Sequence, residues 1–556
     1  MAGKKVVIIG GVAAGASAAA RLRRLDEHAE IIIFEKGEYI SFANCGLPYY
    51  VGGVIPQRSN LLLLSPQDMQ KRFNIQVCTS NEVTRIHPQE RIVTVRNLIS
   101  GETYRENYDY LILAPGSIPF APPLEGLDRP NIFTVRNIPD SDIIRAYVQD
   151  HHPSRAVVVG GGFIGLEMAD MLNHLGLDVT IVEASSQVMP PLDPEMAAFL
   201  HRYIIDTDID LLLNRRVVGL KGKDKVEEVV LDDNSIVAAD LVILGVGVKP
   251  ETTLAREAGL AIGSTGGILV NEYLQTSDPF IYAGGDAIEI KNFQTGQEML
   301  LPLAGPANRQ GWVIANNICG RKIPYKGAQG TAIVKFGRMA AGVTGLNEKR
   351  LRALEQPYLA VHTYPSSHAA YYPGAMPMAI KLLFAPGDGK LLGAQIVGYE
   401  GVDKRIDVIA TALRAGMTVF DLQELELAYA PPFSSAKDPV NMTGYAAGNL
   451  VNGDVEVIHW PEVPARVSEG AFLLDVRTFR EASRGKVPGS YHIPLDEIRL
   501  RREEIPADKE ILIYCHSGLR SYVASRILKQ LGYRAVNISG GYVFWEVQQW
   551  DKANLQ

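Results

Sequence analysis

The sequence predicts an α/β protein, because a unit of strand, glycine-rich loop, helix and strand occurs twice. The first unit has its loop at residues 10–15 and ends in Glu35, and the second has its loop at residues 160–165 and ends in Glu183. Such a loop lets a phosphate approach the helix N-terminus, while the final carboxylate can accept hydrogen bonds from ribose hydroxyls. Two complete units therefore indicate two Rossmann-like dinucleotide-binding domains rather than incidental glycine turns.

The two units differ at positions that concern the nucleotide. Val12 stands in the first loop where the second loop has Gly162, so the backbone of the first loop approaches its phosphates differently. Glu183 places a negative charge where a 2′-phosphate would lie, and charge repulsion therefore favours NADH over NADPH.

Length, charge and cysteine usage narrow the class of protein. At 556 residues the chain is too long for one hydrophobic core and should form roughly three to five domains. Its net charge of −7 provides no field that would attract nucleic acid or an anionic membrane, and no apolar run is long enough to span a bilayer. The four cysteines are widely spaced, without metal-ligand spacing, which fits a reducing compartment. We expect a cytoplasmic enzyme with no metal, no nucleic acid partner and no membrane attachment.

Cys45 is the predicted redox centre. It follows the strand that closes the first unit and lies between Asn44 and Gly46, at a turn whose backbone N–H groups can point at sulfur. Such surroundings would stabilise the thiolate, which is the form that attacks disulfides. A small buried core residue is the alternative interpretation.

Two further stretches, residues 110–116 and 276–286, resemble the flavin signatures of the pyridine nucleotide-disulfide oxidoreductases. The resemblance implies that the first unit binds FAD, that the second binds NAD(P)H, and that electrons pass from nicotinamide through flavin to Cys45. Glutathione reductase-type enzymes have a second cysteine beside the flavin and this sequence has none, so it resembles the single-cysteine branch. Residues 41–49 are similar to those of coenzyme A-disulfide reductases, and the related NADH oxidases and peroxidases share much of this string.

The resemblance also implies domain boundaries and cofactor ligands. FAD would be bound by residues 1–118 and 252–325, NAD(P)H by residues 119–251, and an α+β dimerisation domain would occupy residues 326–450. Asp286 would bond the ribityl chain of FAD, the other interpretation being a turn aspartate at a strand end. The implied cofactor-binding residues are Gly10, Val12, Ala13, Ala14, Gly15, Glu35, Lys36, Asn44, Ala114, Gly116, Gly160, Gly162, Phe163, Ile164, Gly165, Glu183, Gly285, Asp286, Pro302 and Ala304.

Two tyrosine-containing segments extend the resemblance to coenzyme A-disulfide reductases. Residues 368–374 and 427–438 are similar to segments whose tyrosines reach the redox cysteine of the partner subunit in a homodimer. The resemblance assigns these roles to Tyr371 and Tyr429. Tyr372 is adjacent to Tyr371, and either of these two could be the member of the pair. A phenol can donate a hydrogen bond to a leaving thiolate. Aromatic packing at a dimer interface is the other interpretation.

Coenzyme A would need cations for its phosphates. Arg21 and Arg24 are three positions apart and therefore share one face of the predicted first helix, and Lys437 follows the second tyrosine segment. A solvated basic helix face is the alternative for the two arginines. The resemblance places coenzyme A against Ser17, Arg21, Arg24, Ser41, Asn44 and Lys437.

Residues 451–556 form a separate predicted domain. A buried apolar strand runs into Cys515, and a loop with Gly518 and Arg520 leads into a helix, so loop N–H groups, the helix dipole and the guanidinium can all stabilise negative charge on sulfur. This arrangement resembles an α/β rhodanese domain, which implies that Cys515 carries sulfane sulfur as a persulfide. A phosphatase loop would need one more residue between cysteine and arginine. A non-catalytic rhodanese fold is the remaining alternative, because Lys486 stands where rhodaneses commonly have histidine.

The full pattern predicts two Rossmann-like domains, an α+β dimerisation domain and a C-terminal α/β rhodanese domain. The implied activity is FAD-dependent, NAD(P)H-driven reduction of coenzyme A disulfide, coenzyme A persulfide or polysulfide. Cys45 would attack the sulfur–sulfur bond, Cys515 with Arg520 would supply sulfane sulfur, and the partner subunit's Tyr371 and Tyr429 would assist the leaving sulfur. Two alternatives stay open: an NADH oxidase or peroxidase with a Cys45 sulfenic acid, and a flavin-based thiol redox sensor.

Overall fold

The structure is a computed structural model that describes residues 3–555. The chain forms two compact units. The first comprises the chain up to Val182 together with Arg216–Gln329, and the second comprises Glu183–Arg215 together with the chain from Gly330 onward. No helix among the described residues is both long enough and apolar enough to cross a membrane.

The described chain contains strands and helices throughout, with runs of successive strands over residues 76–133 and 210–250. The strands are β1 Lys5–Ile9, β2 Glu30–Phe34, β3 Gln76–Cys78, β4 Asn81–His87, β5 Ile92–Asn97, β6 Thr103–Asn107, β7 Tyr110–Leu113, β8 Ser117–Pro119, β9 Ile132–Phe133, β10 Arg155–Val159, β11 Asp178–Val182, β12 Asp210–Leu212, β13 Val217–Lys221, β14 Glu228–Leu231, β15 Ile236–Ala238, β16 Leu241–Leu244, β17 Val248–Pro250, β18 Ile281–Ala283, β19 Ile290–Lys291, β20 Glu298–Met299, β21 Ala332–Phe336, β22 Met339–Gly345, β23 Leu359–Thr363, β24 Met378–Phe384, β25 Leu391–Gly398, β26 Glu456–Ile458, β27 Phe472–Asp475, β28 Tyr491–His492, β29 Glu510–Tyr514 and β30 Arg534–Ile538.

The α-helices are α1 Ala13–Leu25, α2 Leu47–Val51, α3 Pro66–Phe73, α4 Ile138–His151, α5 Phe163–His174, α6 Pro194–Ile205, α7 Thr253–Glu257, α8 Ala304–Ile318, α9 Glu348–Ala353, α10 Val402–Arg414, α11 Val419–Glu424, α12 Pro439–Val451, α13 Val463–Ser468, α14 Phe479–Ala482, α15 Leu519–Gln530 and α16 Gly541–Leu555. Short 3-10 helices occur at Asn44–Gly46, Arg58–Leu61, Trp460–Glu462, Leu495–Glu497 and Arg502–Glu504.

In the first unit, the parallel sheet β18-β7-β1-β2-β3 carries the first glycine loop at the carboxyl end of β1. Its strands are almost wholly apolar and buried, as expected for a parallel sheet with helices on its faces. Helices α1 and α8 both contribute to this core. They pack closely, because a Cβ on Gly311 would lie 2.3 Å from the carbonyl oxygen of Ala14. Glycine at this position of α8 is what permits the approach to α1.

A second parallel sheet repeats this arrangement around the second glycine loop. Strands β11, β10, β16 and β9 lie in this order, and α5 follows the loop. The last glycine of each loop is required sterically. A Cβ on Gly15 would lie 1.9 Å from the Gly10 carbonyl oxygen, and one on Gly165 would lie 1.9 Å from that of Gly160. Two antiparallel sheets, β4-β5-β6 and β13-β14-β15, complete the larger elements of this unit.

The second unit contains two larger sheets of different type. The antiparallel sheet β21-β22-β25-β24-β23 shares its core with α10 and α12. The C-terminal sheet β26-β30-β29-β27-β28 is parallel, and α15 packs on β29 and β30. Two parallel α/β regions are therefore followed by an antiparallel α+β region and a further parallel α/β region, which is the succession that the sequence predicts.

A buried ion cluster connects the start of α6 with β24. Lys381 is fully buried, and its Nζ lies 2.9 Å from Asp193 Oδ2, 2.8 Å from Glu348 Oε1, and also in contact with Glu195. Desolvation alone would lower the pKa of Lys381, but the three carboxylates outweigh it and raise that pKa. The carboxylates are close enough together to hold a metal ion, and the lysine ammonium is the cation that they surround.

Candidate active sites

Cys45 lies in the 3-10 helix that leads into α2, and it is exposed to solvent. The N–H of Ser41 donates to the Gly11 carbonyl oxygen at 2.9 Å, so the cysteine segment is anchored on the first glycine loop. Pro48 suits the first turn of α2, where a backbone N–H would have no helical acceptor. The fold therefore brings the predicted redox cysteine to the loop that is predicted to bind FAD.

The electrostatic surroundings of Cys45 differ from the sequence-based expectation. Although solvent reaches this residue, protein atoms around the thiol desolvate it and raise its pKa. The carboxylates of Glu167 and Asp286 raise that pKa further, and only the backbone N–H of Cys45 lowers it. The expectation that the turn by itself stabilises a thiolate is wrong, because one backbone donor is outweighed by desolvation and two carboxylates.

Glu167 and Tyr49 form a polar pair close to Cys45 that sequence reasoning missed. Tyr49 donates its phenolic hydrogen to Glu167 Oε1 at 3.1 Å, across the contact between α2 and α5. Burial raises the pKa of Glu167 to about 7, although the tyrosine hydrogen bond opposes this shift. Glu167 follows the second glycine loop by only two residues, but no sequence pattern shows that α5 packs against the cysteine segment.

The groups at the first glycine loop fit the predicted FAD. Gly10 has φ +95°, and a Cβ there would lie 2.1 Å from the Ala114 carbonyl oxygen, so the tight turn requires glycine. Glu35 accepts from the N–H groups of Gly11 and Gly37, each at 2.9 Å, and its carboxylate oxygens keep further lone pairs for ribose hydroxyls. The N-terminus of α1 at Val12 has no side-chain cap and no acidic residue in its first turn, so its dipole is available to a phosphate.

The remaining predicted FAD residues lie at the ends of β7 and β18 and at the start of α8. Asp286 accepts a hydrogen bond from Ser117 Oγ at 3.1 Å, and burial raises the pKa of this aspartate. Gly285 donates its N–H to Gln310 Oε1 at 2.7 Å, which fixes the backbone beside the aspartate. A partly buried carboxylate with few protein donors suits a polyhydroxyl chain. Ala114, Gly116, Pro302 and Ala304 flank these strand and helix ends, whereas Lys36 is exposed and pairs with Glu82 at 2.8 Å.

The second glycine loop also leaves room for a ligand. Gly162 precedes α5 without a side-chain cap, and a Cβ added to it would meet no atom within 4 Å. Its φ of −80° suits any residue, so the protein itself does not require glycine there, and close approach of a phosphate is a sufficient reason for it. Phe163, Ile164 and Gly165 form the first turn of α5. Glu183 directly follows β11, and its Oε1 accepts from the Ser185 N–H at 2.7 Å.

Two of the three predicted coenzyme A residues on α1 have protein partners. Ser17 Oγ hydrogen-bonds to Asn308, and Arg21 donates to Asn316 Oδ1 at 3.2 Å with its guanidinium carbon 5.3 Å from the Trp312 ring centroid. The Nε of Arg21 is buried without a hydrogen-bond partner among the described residues. An aromatic ring and a buried unpaired donor in one place are compatible with a further ligand for Arg21.

The three arginines of α1 have different surroundings. Arg24 is exposed, whereas Arg23 is buried and donates to the carbonyl oxygens of Phe73, Asp26, Glu27, Ala29 and Asn74. Arg23 is thus a structural residue, because its guanidinium is bound by backbone carbonyl oxygens. Arg21 and Arg24 are the arginines of α1 that are left as candidate ligands. Lys437 lies in the second unit, with its Nζ 5.9 Å from the Tyr445 ring centroid.

Tyr371 and Tyr429 are brought together by the antiparallel domain. Their hydroxyl oxygens are 2.8 Å apart, and both residues are exposed, Tyr371 by 76% and Tyr429 by 47%. Tyr372 instead packs its ring edge-to-face against His368 at 5.7 Å. Two linked phenols at a surface form a proton-donating pair that a second molecule can reach, and this geometry favours Tyr371 over Tyr372.

The Cys515 loop surrounds its sulfur with donors. Cys515 is buried, and its Sγ accepts from the Gly518 N–H at 3.1 Å and from Ser521 Oγ at 3.4 Å. Gly518 has φ +105° at the start of α15, so this turn requires glycine. Arg520 also interacts with the sulfur electrostatically. The loop can therefore stabilise a negatively charged sulfur within the protein.

Arg520 has a second partner that the sequence reasoning did not identify. Its Nη1 and Nη2 donate to the two carboxylate oxygens of Glu481 at 2.7 and 2.6 Å. Glu481 also caps α14 by accepting from Thr478. The spacing from Thr478 to Glu481 is a capping-box signal that was visible in the sequence, but the pairing with Arg520 is not. Lys486 is exposed.

Beneath the loop, Arg477 forms a buried network. Arg477 makes a bidentate ion pair with Asp475, and Tyr514 donates a hydrogen bond to the same carboxylate at 2.9 Å. The guanidinium carbon of Arg477 lies 3.9 Å from the Tyr542 ring centroid.

The other two cysteines, Cys78 and Cys319, pack against the core of the first unit, in agreement with their interpretation as core thiols.

Family models match three successive parts of the chain. A model described as pyridine nucleotide-disulphide oxidoreductase matches residues 4–311, the dimerisation domain of the same family matches residues 331–439, and a rhodanese-like domain matches residues 460–548. The first of these matches covers more than half of the chain.

Curated proteins and solved structures resemble the chain over most of its length. A coenzyme A disulfide reductase from Staphylococcus haemolyticus is 37% identical over 453 residues, which cover 80% of this chain and 100% of that protein. Reduced Bacillus anthracis CoADR-RHD is 50% identical, with a TM-score of 0.97 and 98% of both chains covered. An NAD-dependent persulfide reductase from A. fulgidus is 39% identical, with a TM-score of 0.92, 97% of this chain covered and 100% of that one.

Proposed function

Because the chain belongs to the pyridine nucleotide-disulphide oxidoreductase family, as its sequence predicts, we propose that it is an FAD-dependent NAD(P)H reductase of coenzyme A disulfide and coenzyme A persulfide. The predicted fold class is confirmed as well. The observation that carries the proposal is Cys45, a single exposed thiol anchored on the first glycine loop. The relatives that are named for coenzyme A disulfide and for persulfide support this class of substrate.

Cys45 acts as the nucleophile. Its thiolate attacks a sulfur of coenzyme A disulfide, the sulfur–sulfur bond breaks, and one coenzyme A thiolate leaves while a mixed disulfide forms on Cys45. Attack on the coenzyme A-bound sulfur of the persulfide forms the same mixed disulfide and releases hydrosulfide. Bound FAD supplies the two electrons of NAD(P)H for reduction of this mixed disulfide. An exposed cysteine suits a substrate as large as coenzyme A.

Tyr371 and Tyr429 provide the proton for the leaving sulfur. Their 2.8 Å hydrogen bond makes one phenol the donor to the other, which leaves the second hydrogen for an outside acceptor. Both residues are exposed in the single chain, and the chain carries the family's dimerisation domain. We assign them to the active site of the partner subunit in a homodimer.

Cys515 carries sulfane sulfur and transfers it to coenzyme A. The donors around its sulfur suit a persulfide, whose terminal sulfur bears negative charge. Transfer from this persulfide to a coenzyme A thiol produces the coenzyme A persulfide that Cys45 reduces, which gives the two activities a reason to share one chain. Short polysulfides fit the same attack by Cys45.

The cofactor and coenzyme A residues are proposed from the resemblance, and the two glycine loops and the buried Nε of Arg21 support them. FAD takes residues 1–118 and 252–325, NAD(P)H takes residues 119–251, and coenzyme A takes Ser17, Arg21, Arg24, Ser41, Asn44 and Lys437. Glu183 is proposed to favour NADH, and replacement by serine should lower the ratio of kcat/KM for NADH to that for NADPH about tenfold. A clear preference of the unaltered chain for NADPH would contradict this assignment.

The experiment that tests the proposed function is anaerobic NADH consumption with coenzyme A persulfide as the sole acceptor. We expect one sulfide released per NADH consumed, and loss of this turnover in Cys45→Ser but not in Cys78→Ser, the matched core thiol. Absence of turnover together with rapid NADH oxidation by oxygen or peroxide would replace the proposal with an oxidase or peroxidase. Slow turnover with every acceptor, together with a recoverable protein partner, would instead favour a redox sensor.

A further inference from the structure

The Arg520 guanidinium, which is the cation of the Cys515 loop, is already neutralised. Glu481 binds it through both terminal nitrogens, at 2.7 and 2.6 Å, and this bidentate pair lowers the pKa of the Glu481 carboxyl well below its usual range. The pKa of Arg520 is raised in turn, with Glu481 as the first cause and Cys515 among the further ones. The arginine thus faces the thiol on one side and a fixed negative charge on the other.

Glu481 is held in this position by α14. Its Oε2 also accepts from the Thr478 N–H at 2.9 Å and from Thr478 Oγ1 at 2.7 Å. These bonds satisfy the N-terminus of the helix, so the carboxylate can leave Arg520 only if the cap is broken as well. Both side chains of the pair are 31% exposed, and an entering sulfur donor would therefore meet a neutral ion pair rather than a free cation.

The charged groups that act on His516 supply no free cation among the described residues. His516 directly follows Cys515, and burial lowers the pKa of its imidazole. Glu481 and Glu546 raise this pKa, whereas Arg520 and Arg477 lower it. Arg477 is neutralised by Asp475, and Glu546 lies 3.9 Å from Arg202. Each of the arginines named here is therefore matched by a carboxylate.

The charge on the sulfur donor decides how well such a site can accept it. If the donor is thiosulfate, the Cys515 thiolate attacks the outer sulfur, the sulfur–sulfur bond breaks, and sulfite leaves. This step brings three negative charges together, two on thiosulfate and one on the Cys515 thiolate. If the donor is a persulfide R–S–SH, the thiolate attacks the outer sulfur, R–S⁻ leaves, and the hydrogen stays on the transferred sulfur. The persulfide group itself brings at most one negative charge to the Cys515 loop, so an already neutralised arginine suffices.

We propose that Glu481 determines the donor class of the Cys515 site: it excludes dianionic donors such as thiosulfate and leaves the site to thiol persulfides. The inference rests on the proposed function only in that Cys515 carries sulfane sulfur. Glu481 acts through Arg520 and is a specificity-determining residue, not a catalytic one.

The test compares thiosulfate and the persulfide of 2-mercaptoethanol, whose remainder is uncharged, as donors to the full-length holoenzyme. Persulfide formation on Cys515 is followed by alkylation and mass spectrometry. The unaltered chain should load from the persulfide at least about 100-fold faster than from thiosulfate. Glu481→Gln keeps the shape and a cap acceptor but removes the charge. It should speed loading from thiosulfate about tenfold and change loading from the persulfide less than about threefold, with the gain shrinking as salt is added.

Two further variants keep the test decisive. Glu481→Asp retains the charge and should retain the discrimination, even if the cap weakens. Glu462→Gln removes another capping acid of the same domain, one that accepts from the His459 N–H at 3.0 Å, and should leave both donors unaffected.

The proposal is overturned if the unaltered chain uses thiosulfate as rapidly as persulfide, or if Glu481→Gln slows both donors equally, as a residue that merely positions Arg520 would. Failure of the proposed reductase would appear separately, as normal loading of Cys515 without NADH-driven sulfide release.

Discussion

Cys45 and Cys515, the two cysteines of the proposed function, have opposite surroundings. Cys45 is exposed, and its two neighbouring carboxylates disfavour negative charge on sulfur. Cys515 is buried, and an N–H group, a hydroxyl and a guanidinium surround its sulfur. The difference shows that the polar groups around a thiol do not follow from its solvent exposure. Under the proposed function, the exposed thiol meets a large substrate and a redox cofactor, whereas the enclosed one receives a single sulfur atom.

Removing each sulfur in turn is the strongest test of the difference between the two thiols. Cys45→Ser should lower NADH-dependent reduction of coenzyme A disulfide at least about 1,000-fold, because serine is a poor nucleophile at neutral pH and cannot form the mixed disulfide. Cys515→Ser should leave that activity within about twofold and abolish sulfur loading. Initial rates with coenzyme A disulfide provide the measurement. A large loss of disulfide reduction in Cys515→Ser would mean that the two thiols work as one site.

The tyrosine pair is the next largest expected effect. Tyr429→Phe removes one phenol of the 2.8 Å pair and should lower kcat for coenzyme A disulfide about 10- to 100-fold, because the leaving thiolate loses its proton donor. Tyr372→Phe is the matched control and should change kcat less than about twofold, since the Tyr372 ring packs edge-to-face against His368 whereas Tyr371 pairs with Tyr429. If Tyr372→Phe has the greater effect, the assignment moves to that residue.

The hydroxyl at Cys515 should have a smaller effect. Ser521→Ala removes a donor 3.4 Å from Sγ and should slow loading of sulfane sulfur about five- to tenfold, because a hydrogen bond to a charged sulfur is lost. Ser525→Ala is the control on the same helix, since its hydroxyl bonds to the Tyr522 carbonyl oxygen. Reduction of coenzyme A disulfide at Cys45 should be unchanged in both variants. Equal rates of sulfur loading in Ser521→Ala and in the unaltered chain would show that the Ser521 hydroxyl has only a structural role.

The smallest expected effect concerns the carboxylate beside Cys45. Glu167, with a pKa of about 7, is neutral below that pH and negative above it, and only the negative form raises the pKa of Cys45. Glu167→Gln should therefore lower the pKa of Cys45 and speed its alkylation by iodoacetamide about threefold above pH 7, with little change below pH 6. The exposed Glu38→Gln variant should show no change. An unaltered pH profile in Glu167→Gln would remove Glu167 from the surroundings of the thiol.

The sequence by itself determined the family, the fold class and the two cysteines. Each of these depends on local strings: a glycine loop between strand and helix, a turn around Cys45, and a strand that ends in Cys515. Such patterns can be recognised in a sequence because the backbone geometry that they impose extends over only a few residues. The glycine positions 15 and 165 are an example, since the carbonyl oxygen that excludes a Cβ lies five residues earlier in the same loop.

The tertiary structure alone decided which side chains face each other. Tyr371 and Tyr372 are equivalent in the sequence, and only the fold joins Tyr371 to Tyr429, 58 positions away. The pairing of Glu481 with Arg520 and that of Tyr49 with Glu167 likewise cross 39 and 118 positions. A hydrogen bond depends on the spatial distance between two atoms, and for residues this far apart that distance is set by how the sheets and helices pack rather than by any local pattern.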